Sequence, residues 1–509
     1  MTTENPEVPN LEDEEPIVPV PTATMPHYGD QSAVARGAMW SILNQSAAQI
    51  LALVVFLITA RFVSKEDFGI MAVCMLVVEG FKQVALESVG ISISARKDPT
   101  DKEYNACFMI ILVGSIVCAS IAYLSVDLIA DMLGNPAIAP ALHWVCLLIL
   151  TIGLTRTHEA WFEKHLQFKK MTIRSLLSIG IGGAVGIYMA IHGFGIASLI
   201  AQQLVTALVA LVFLWLATTW RPSLNIEMKD VKDILKYSKF VSMNAGIAYL
   251  NGQSDVFFST YYLGAANTGL YNSGKRIVTA AHMMLVNGIS RVALPAMAAS
   301  SDENRANNYL KWNRLTTLFL APVYVGIALL AEDTISILLG DKWIEAAPIL
   351  SVLILASYFT QIDKYNSNLL LVLYKPHWQS VFTTTGAILN IVILYLFTRH
   401  GVVWLAFGYL VKTSVMYPLS VYISTRLLNI SFWSVWKELA PSLISSGIMA
   451  AALLAGREYF ESFNPFISIA IQAPLGALIY FGSMWVIARK SIEEVIAGAK
   501  LVLPNKKAA

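Results

Sequence analysis

Fourteen long apolar stretches, separated by loops whose positive charge falls on alternate sides, constrain this chain more than any motif it carries. A membrane-spanning helix needs about 20 mostly apolar residues, because the hydrocarbon core is roughly 30 Å thick. Such runs lie at residues 37–60, 68–90, 105–126, 140–160, 172–192, 195–219, 236–262, 268–290, 315–339, 346–374, 377–398, 402–424, 438–456 and 464–488. Hydrophobic residues fill 56% of 509 positions and charged residues only 14%, against about 25% charged in soluble globular chains. The expected class is an all-α polytopic membrane protein of about fourteen transmembrane helices.

Orientation follows from Lys and Arg in short loops. If the N-terminus is cytoplasmic, 25 of the 36 basic residues fall inside, 5 outside (Arg61, Lys65, Lys342, Arg399 and Arg457) and 6 within spans. One missed helix would invert everything downstream, so the reading places both termini in the cytoplasm. Residues 1–33 are rich in Pro, Glu and Asp without an apolar period and are expected to be disordered. They do not look like a cleavable signal peptide, because they are acidic and the first apolar run comes late. No clustered basic footprint of a nucleic-acid binder is present. Cys74, Cys107, Cys118 and Cys146 sit in apolar stretches without metal-ligand spacing and read as small buried hydrophobes.

The chain repeats itself. Arg61-Phe62-Val63 through Phe68-Gly69-Ile70-Met71 matches Tyr261-Tyr262-Leu263 through Thr268-Gly269-Leu270-Tyr271 at an offset of 200. Asp127-Leu128-Ile129 through Leu133-Gly134-Asn135 matches Asp333-Thr334-Ile335 through Leu339-Gly340-Asp341 at an offset of 206. Two six-helix lobes follow, 34–220 and 221–430, then two extra helices within 431–490 and a C-terminal tail, 491–509. Parallel repeats with a site at their interface are a transporter architecture.

Charge at the bilayer centre costs at least about 2.5–3.5 kcal/mol, so it faces a cavity or a partner. The second span carries Glu79, Lys82, Gln83 and Glu87; positions 79, 83 and 87 fall on one helical face. They either neutralise one another as a Glu79–Lys82 pair or line water. The seventh span aligns Asn244, Asn251 and Asp255. The eighth opens with Asn272, Lys275 and Arg276, which line a path or snorkel outward, followed by His282 as a packed histidine. The tenth gathers Gln361, Asp363, Lys364, Asn366 and Asn368, which line water or mark local unwinding. The twelfth holds Lys412 with no acid in the same span, and the first offers Asn44, Gln45 and Gln49. Arg156, His158 and Glu159 lie near a cytoplasmic end and are expected to form an interfacial ion pair. No HExxH, GxSxG, P-loop or GxGxxG appears, so neither an enzyme nor a built-in ATPase is expected. No cofactor or metal is implied.

The segment Arg36-Gly37-Ala38-Met39-Trp40-Ser41, with Ala60-Arg61-Phe62 and Phe68-Gly69, resembles the first hairpin of polysaccharide flippases of the Wzx type. The stretch Arg291-Val292-Ala293-Leu294-Pro295-Ala296 is followed by Asp302-Glu303, Arg305 and Pro322. Then come Leu339-Gly340-Asp341-Lys342-Trp343 and Pro348-Ile349-Leu350. This run is similar to the WzxC-like branch of the multidrug/oligosaccharidyl-lipid/polysaccharide exporter superfamily, over about residues 34–490. The resemblance implies two lobes around a central cavity. It also implies flipping of an undecaprenyl-diphosphate-linked oligosaccharide across the bacterial inner membrane, for exopolysaccharide, capsule or O-antigen export. Membrane lipids, a polysaccharide polymerase and export machinery are the expected partners. Lys82, Lys275, Arg276, Lys364 and Lys412 are the expected substrate-binding cations. Glu79, Glu87, Asp255 and Asp363 are candidates for ion coupling or glycan contact. A multidrug or organic-cation antiporter on the same fold is the alternative, and a membrane glycosyltransferase or polymer ligase a more distant one.

Overall fold

The computed structural model describes residues 31–493 except 299, 461 and 490. The acidic segment therefore lies outside the described residues up to position 30, and residues 31–33 open the first helix. Most of the C-terminal tail also lies outside. The described chain is helical, without a strand.

In order, the helices are α1 Gln31–Ala60, α2 Lys65–Phe81, α3 Glu87–Ala95, α4 Asp101–Leu124, α5 Val126–Met132, α6 Ile138–Val145, α7 Leu147–Lys164, α8 Phe168–Ile191 and α9 Ile196–Ala217. There follow α10 Met228–Ala298, α11 Asp302–Leu329, α12 Ala331–Leu339, α13 Ala347–Val372, α14 Pro376–Thr398, α15 Val402–Leu427, α16 Phe432–Ala455, α17 Arg457–Phe460 and α18 Pro465–Ile487. Local chemistry sets the starts. Ser64 caps α2 by accepting a bond from the Asp67 N–H, and Thr100 forms a capping box with Glu103 at α4. Among the described residues ten helices are long and apolar enough to cross a bilayer, or eleven if the pair bent by 74° between Leu329 and Ala331 counts as one span. That is fewer than the fourteen expected. The difference falls on α1, whose segment Ser46–Ala60 is a shorter apolar helix, and on α10, whose two arms hold the polar groups of the seventh and eighth spans.

The repeat appears in the backbone. α10 is one helix broken only at Gly264 (φ 81°), 200 positions after the Ser64 cap between α1 and α2. The short helices α5 and α12 end at Gly134 and Gly340, 206 apart, both at positive φ, where glycine has no Cβ to clash. Gly195 and Gly401, again 206 apart, precede α9 and α15 with positive φ.

The two repeats meet in a reciprocal crossing. A Cβ on Gly69 would lie 1.7 Å from the Ala265 carbonyl oxygen, and a Cβ on Gly269 would lie 2.0 Å from the Lys65 carbonyl oxygen. Each glycine thus opposes the position four residues before its counterpart, as a two-fold relation requires. Small residues admit such close backbone approach between membrane helices. Around the crossing, at the end expected to face outside, Arg61 donates to the Ile337 carbonyl (2.7 Å) and Trp343 Nε1 to the Ala60 carbonyl (2.8 Å). Lys342 donates to the Val63 carbonyl (2.8 Å), and Lys65 pairs with Glu345 (2.8 Å). Phe68 stacks edge-on between Phe56 and Trp343.

Between α2 and α3 the helix makes a π turn over Lys82–Leu86. A π turn accommodates one extra residue, so Glu87 is set back by about 100° from its place in a regular helix. The expected single face of Glu79, Gln83 and Glu87 is therefore split. Glu79 pairs with Lys82 at 3.2 Å, and Glu87 pairs with Arg156 on α7 at 2.9 Å. Arg156 is 4% exposed and also reaches Glu163 at 3.5 Å. Its expected interfacial pairing is replaced by a buried hub, and Glu159 turns to Arg174 instead. Gly90 makes room, since a Cβ there would lie 2.5 Å from Arg156 Nε. All four cysteines are buried and free.

Two stability predictions follow from this packing. Gly69→Ala and Gly269→Ala should each lower the melting temperature of the detergent-solubilised protein by several degrees, because backbone must move. Gly252→Ala and Gly326→Ala, which meet no neighbour within 4 Å, should leave it unchanged. Arg156→Ala removes the cation shared by two partly exposed carboxylates, of which Glu163 keeps the Ser94 hydroxyl, and should cost about 1.5–3 kcal/mol, read as a lower midpoint in the same melt.

Candidate functional site

Behind the glycine crossing lies a cavity of about 730 Å³ enclosed by α1, α8, α9 and both arms of α10. A smaller chamber of about 190 Å³ adjoins it, sharing Phe56, Gln202, Gln203, Gln253, Asn272 and Arg276. That chamber extends to Phe68 and Met71 and so ends against the crossing.

The lining is polar in a particular way. α1 brings Ser46 and Gln49, α9 brings Gln202, Gln203 and Thr206, and α10 brings Gln253, Asn272, Lys275, Arg276 and Thr279. Amides and hydroxyls both donate and accept hydrogen bonds, which suits a ligand dense in hydroxyl groups. On α1, α9 and the second arm of α10 these polar side chains recur at about one-turn spacing, so each helix turns a polar strip to the cavity, and Ile50, Leu53, Phe56, Ile179 and Met283 line the remainder.

Arg276 and Lys275 are neighbours with different partners. Lys275 pairs with Asp255 at 2.7 Å and also donates to the Gly252 carbonyl at 3.2 Å. The same Asp255 oxygen accepts from the Tyr271 hydroxyl at 2.8 Å. Arg276 projects into the cavity with its guanidinium 4.8 Å from the Phe56 ring centroid, a stacking that holds the cation without neutralising it. Among the described residues no carboxylate lies within ion-pair distance of Arg276. A guanidinium offers a planar fork of donors matched to phosphate oxygens.

The other expected site residues lie elsewhere. Lys82 is held by Glu79, which lines the smaller chamber. Glu87 faces Arg156. Lys364 contacts the His282 ring at 3.2 Å, so the histidine read as packed is the neighbour of a lysine. Asp363 accepts from Asn366 at 2.9 Å. Lys412 donates to Asn390 Oδ1 at 3.0 Å and to Asn251 Oδ1 at 3.5 Å, while Asn390 donates to Ser254 at 2.7 Å and the Asn251 carbonyl at 3.1 Å. Asp363 and Lys412 share a separate pocket of about 200 Å³ within the second half, lined also by Thr360, Thr383, Tyr409 and Thr413. The structure thus brings Lys275, Arg276 and Glu79 to the central cavities and sets Lys364, Asp363 and Lys412 apart. Sequence reasoning passed over Gln202, Gln203 and Gln253. Their signal was a glutamine pair in the otherwise apolar sixth span and a lone glutamine in the seventh. Among the described residues no group of three or more His, Cys, Asp or Glu could hold a metal ion.

The chain is similar to several known proteins. The succinoglycan biosynthesis transport protein ExoT of Rhizobium meliloti is 27% identical over 327 residues, spanning 64% of this chain and 66% of that one. The lipopolysaccharide biosynthesis protein WzxC of Escherichia coli is 22% identical, over 82% of this chain and 87% of its own. The teichuronic acid biosynthesis protein TuaB of Bacillus subtilis is 21% identical, over 88% and 94%. Among solved structures, lipid II flippase MurJ in an inward closed conformation superposes with a TM-score of 0.72 at 15% identity, over 89% of this chain and 100% of that one. An inward-facing multidrug resistance MATE family transporter superposes at 0.58 and 13% identity, over 76% and 98%. These two share the fold. The family described as polysaccharide biosynthesis protein matches residues 58–348, more than half of the sequence, and the chain belongs to that family.

Proposed function

We propose that this protein flips a lipid-diphosphate-linked oligosaccharide across the bacterial inner membrane, with both termini in the cytoplasm. The carrier expected from the family resemblance is undecaprenyl diphosphate. The carrying observation is Arg276: a cation stacked on Phe56, facing an amide-lined cavity, with no carboxylate within ion-pair distance among the described residues. It is left available for the diphosphate, and Gln49, Gln202, Gln203, Gln253 and Asn272 supply hydrogen bonds to the glycan. The names of the relatives, which include succinoglycan transport and a probable low-salt glycan biosynthesis flippase, point the same way. The lipid tail stays in the bilayer, so only the polar head needs the cavity.

The two lobes, taken as 34–220 and 221–430, alternate access. In the present arrangement the glycine crossing seals the outer end; parting it would release the glycan outside. Without a nucleotide-binding motif the work comes from a gradient, and the chain acts as a transporter rather than an enzyme. Lys275, Asp255 and Tyr271 form a pair-and-hydroxyl switch at the cavity edge, suited to coupling. Glu79 with Lys82, Glu87 with Arg156, and Lys364, Asp363 and Lys412 position helices around it. Polymerase and export machinery would receive the product. A multidrug or organic-cation antiporter would need a net acidic cavity, and the uncompensated Arg276 opposes that.

Arg276→Ala in a chromosomal deletion background should leave membrane abundance and melting temperature near wild type while cutting polymer export by about 10- to 100-fold, the worth of one charged hydrogen-bond pair. Lipid-linked oligosaccharide should accumulate on the cytoplasmic leaflet, and Arg276→Lys should restore part of the export. Normal export from Arg276→Ala would remove the diphosphate role.

A further inference from the structure

The first arm of α10, residues 228–263, is an unbroken helix. At 1.5 Å per residue it is about 54 Å long, well beyond the roughly 30 Å of a hydrocarbon core. The excess lies at its start. There Lys229, Lys232, Lys236 and Lys239 follow at intervals of three, four and three residues and are all exposed. At 100° per residue they occupy one wedge of about 80°. The opposite side carries Ile234 and Ser238, 0% and 3% exposed, against the protein body. The lysine stripe therefore points away from the protein.

A stripe facing only water would be polar throughout. This one is bordered by large apolar side chains that are themselves exposed, Met228 at 67% and Leu235 at 47% on one edge and Phe240 at 57% on the other, and continues into Met243 at 61%. Ammonium groups bordered by apolar side chains on one helical face match the headgroup level of a bilayer, where stems and rings reach down and charges meet phosphate. Asp230 lies on the side of Ile234, while Asp233 borders the stripe beside Lys229 and Lys236, leaving four cations against one carboxylate on this face. Just upstream, Glu227 is taken by Lys102 at 2.5 Å, which ties the start of the arm to α4.

We infer that the Lys229–Lys239 stripe is a docking surface for anionic phospholipid headgroups of the leaflet it faces. It is distinct from the transport cavity and rests on the orientation proposed above, which makes that leaflet the cytoplasmic one. A rigid arm links the stripe to Asn251 and Asp255, so lipids held there steady the helix that walls the cavity.

The test uses the full-length chain in nanodiscs of phosphatidylcholine doped with phosphatidylglycerol. Native mass spectrometry reads which lipids are retained, and thermal melting reads stabilisation. The wild type should retain phosphatidylglycerol over phosphatidylcholine by roughly tenfold. Changing Lys229, Lys232, Lys236 and Lys239 together to Gln should abolish most of that preference. A control with the same charge change, at Lys97, Lys169, Lys170 and Lys311, should keep it. Equal retention by the wild type and the stripe variant overturns the inference, as does equal loss in both variants, which would mean bulk charge alone. Loss of stabilisation by a soluble protein fraction, with lipid retention unchanged, would assign the stripe to a protein partner and also overturn it. Lipid retention is read without transport, so failure of the flippase reading would leave this result standing.

Discussion

The crossing of Gly69 and Gly269 is the constraint on which the rest of the structure depends. Two backbones meet so closely that no side chain fits between either glycine and the opposing carbonyl. Because the contact is reciprocal, the repeats are held as a pair and not as two independent bundles. Everything at that end is arranged around it: the Trp343 and Lys342 bonds to the end of α1, the Lys65–Glu345 pair and the Phe56–Phe68–Trp343 stack. The smaller chamber reaches Phe68 and Met71, on either side of Gly69 in the sequence. Polar bonds of this sort are individually modest. Their worth here is geometric, since they exist only while the backbones touch.

Inside the membrane the protein sorts its charges by whether they are matched. Arg156 is shared between Glu87 and Glu163 within the first half, and Lys275 is absorbed by Asp255. Lys412 is satisfied by amide oxygens. Each such arrangement removes a cost of burial and contributes order more than attraction for a ligand. Arg276 is treated differently, with a ring beneath it and open space ahead. With Lys275 paired and Arg276 without a carboxylate at ion-pair distance among the described residues, the cavity has a defined sign without a large field.

What was legible in the sequence was whatever depends on local pattern. The repeat at 200 and 206 residues pointed to two lobes and to the matched turns at Gly134 and Gly340, because turns demand particular small residues; that Gly69 and Gly269 meet was not in the pattern. Arg276 stood out because charge in an apolar span is expensive. Gln202, Gln203 and Gln253 did not, because a neutral amide barely lowers the hydropathy of its span. The partners of Arg156 and Lys412 were hidden for another reason. Glu87 is 69 positions from Arg156 and Asn251 is 161 from Lys412, and periodicity within one helix says nothing about which helices become neighbours. Ten or eleven of the fourteen expected spans meet a test of length and apolarity among the described residues, and the arms of α10 fall short of it where polar groups suit a cavity wall better than lipid.

The π turn at Lys82–Leu86 has a consequence for how chains of this kind should be aligned. It means α2 and α3 together hold one residue more than a regular helix of the same course. A homologue lacking that residue would follow the same path with its counterpart of Glu87 in the same direction, toward the counterpart of Arg156. Two sequences could then differ by a gap in the middle of a membrane span and still superpose. A helical wheel drawn across the turn would place the carboxylate on different faces in the two proteins, although it had not moved in either.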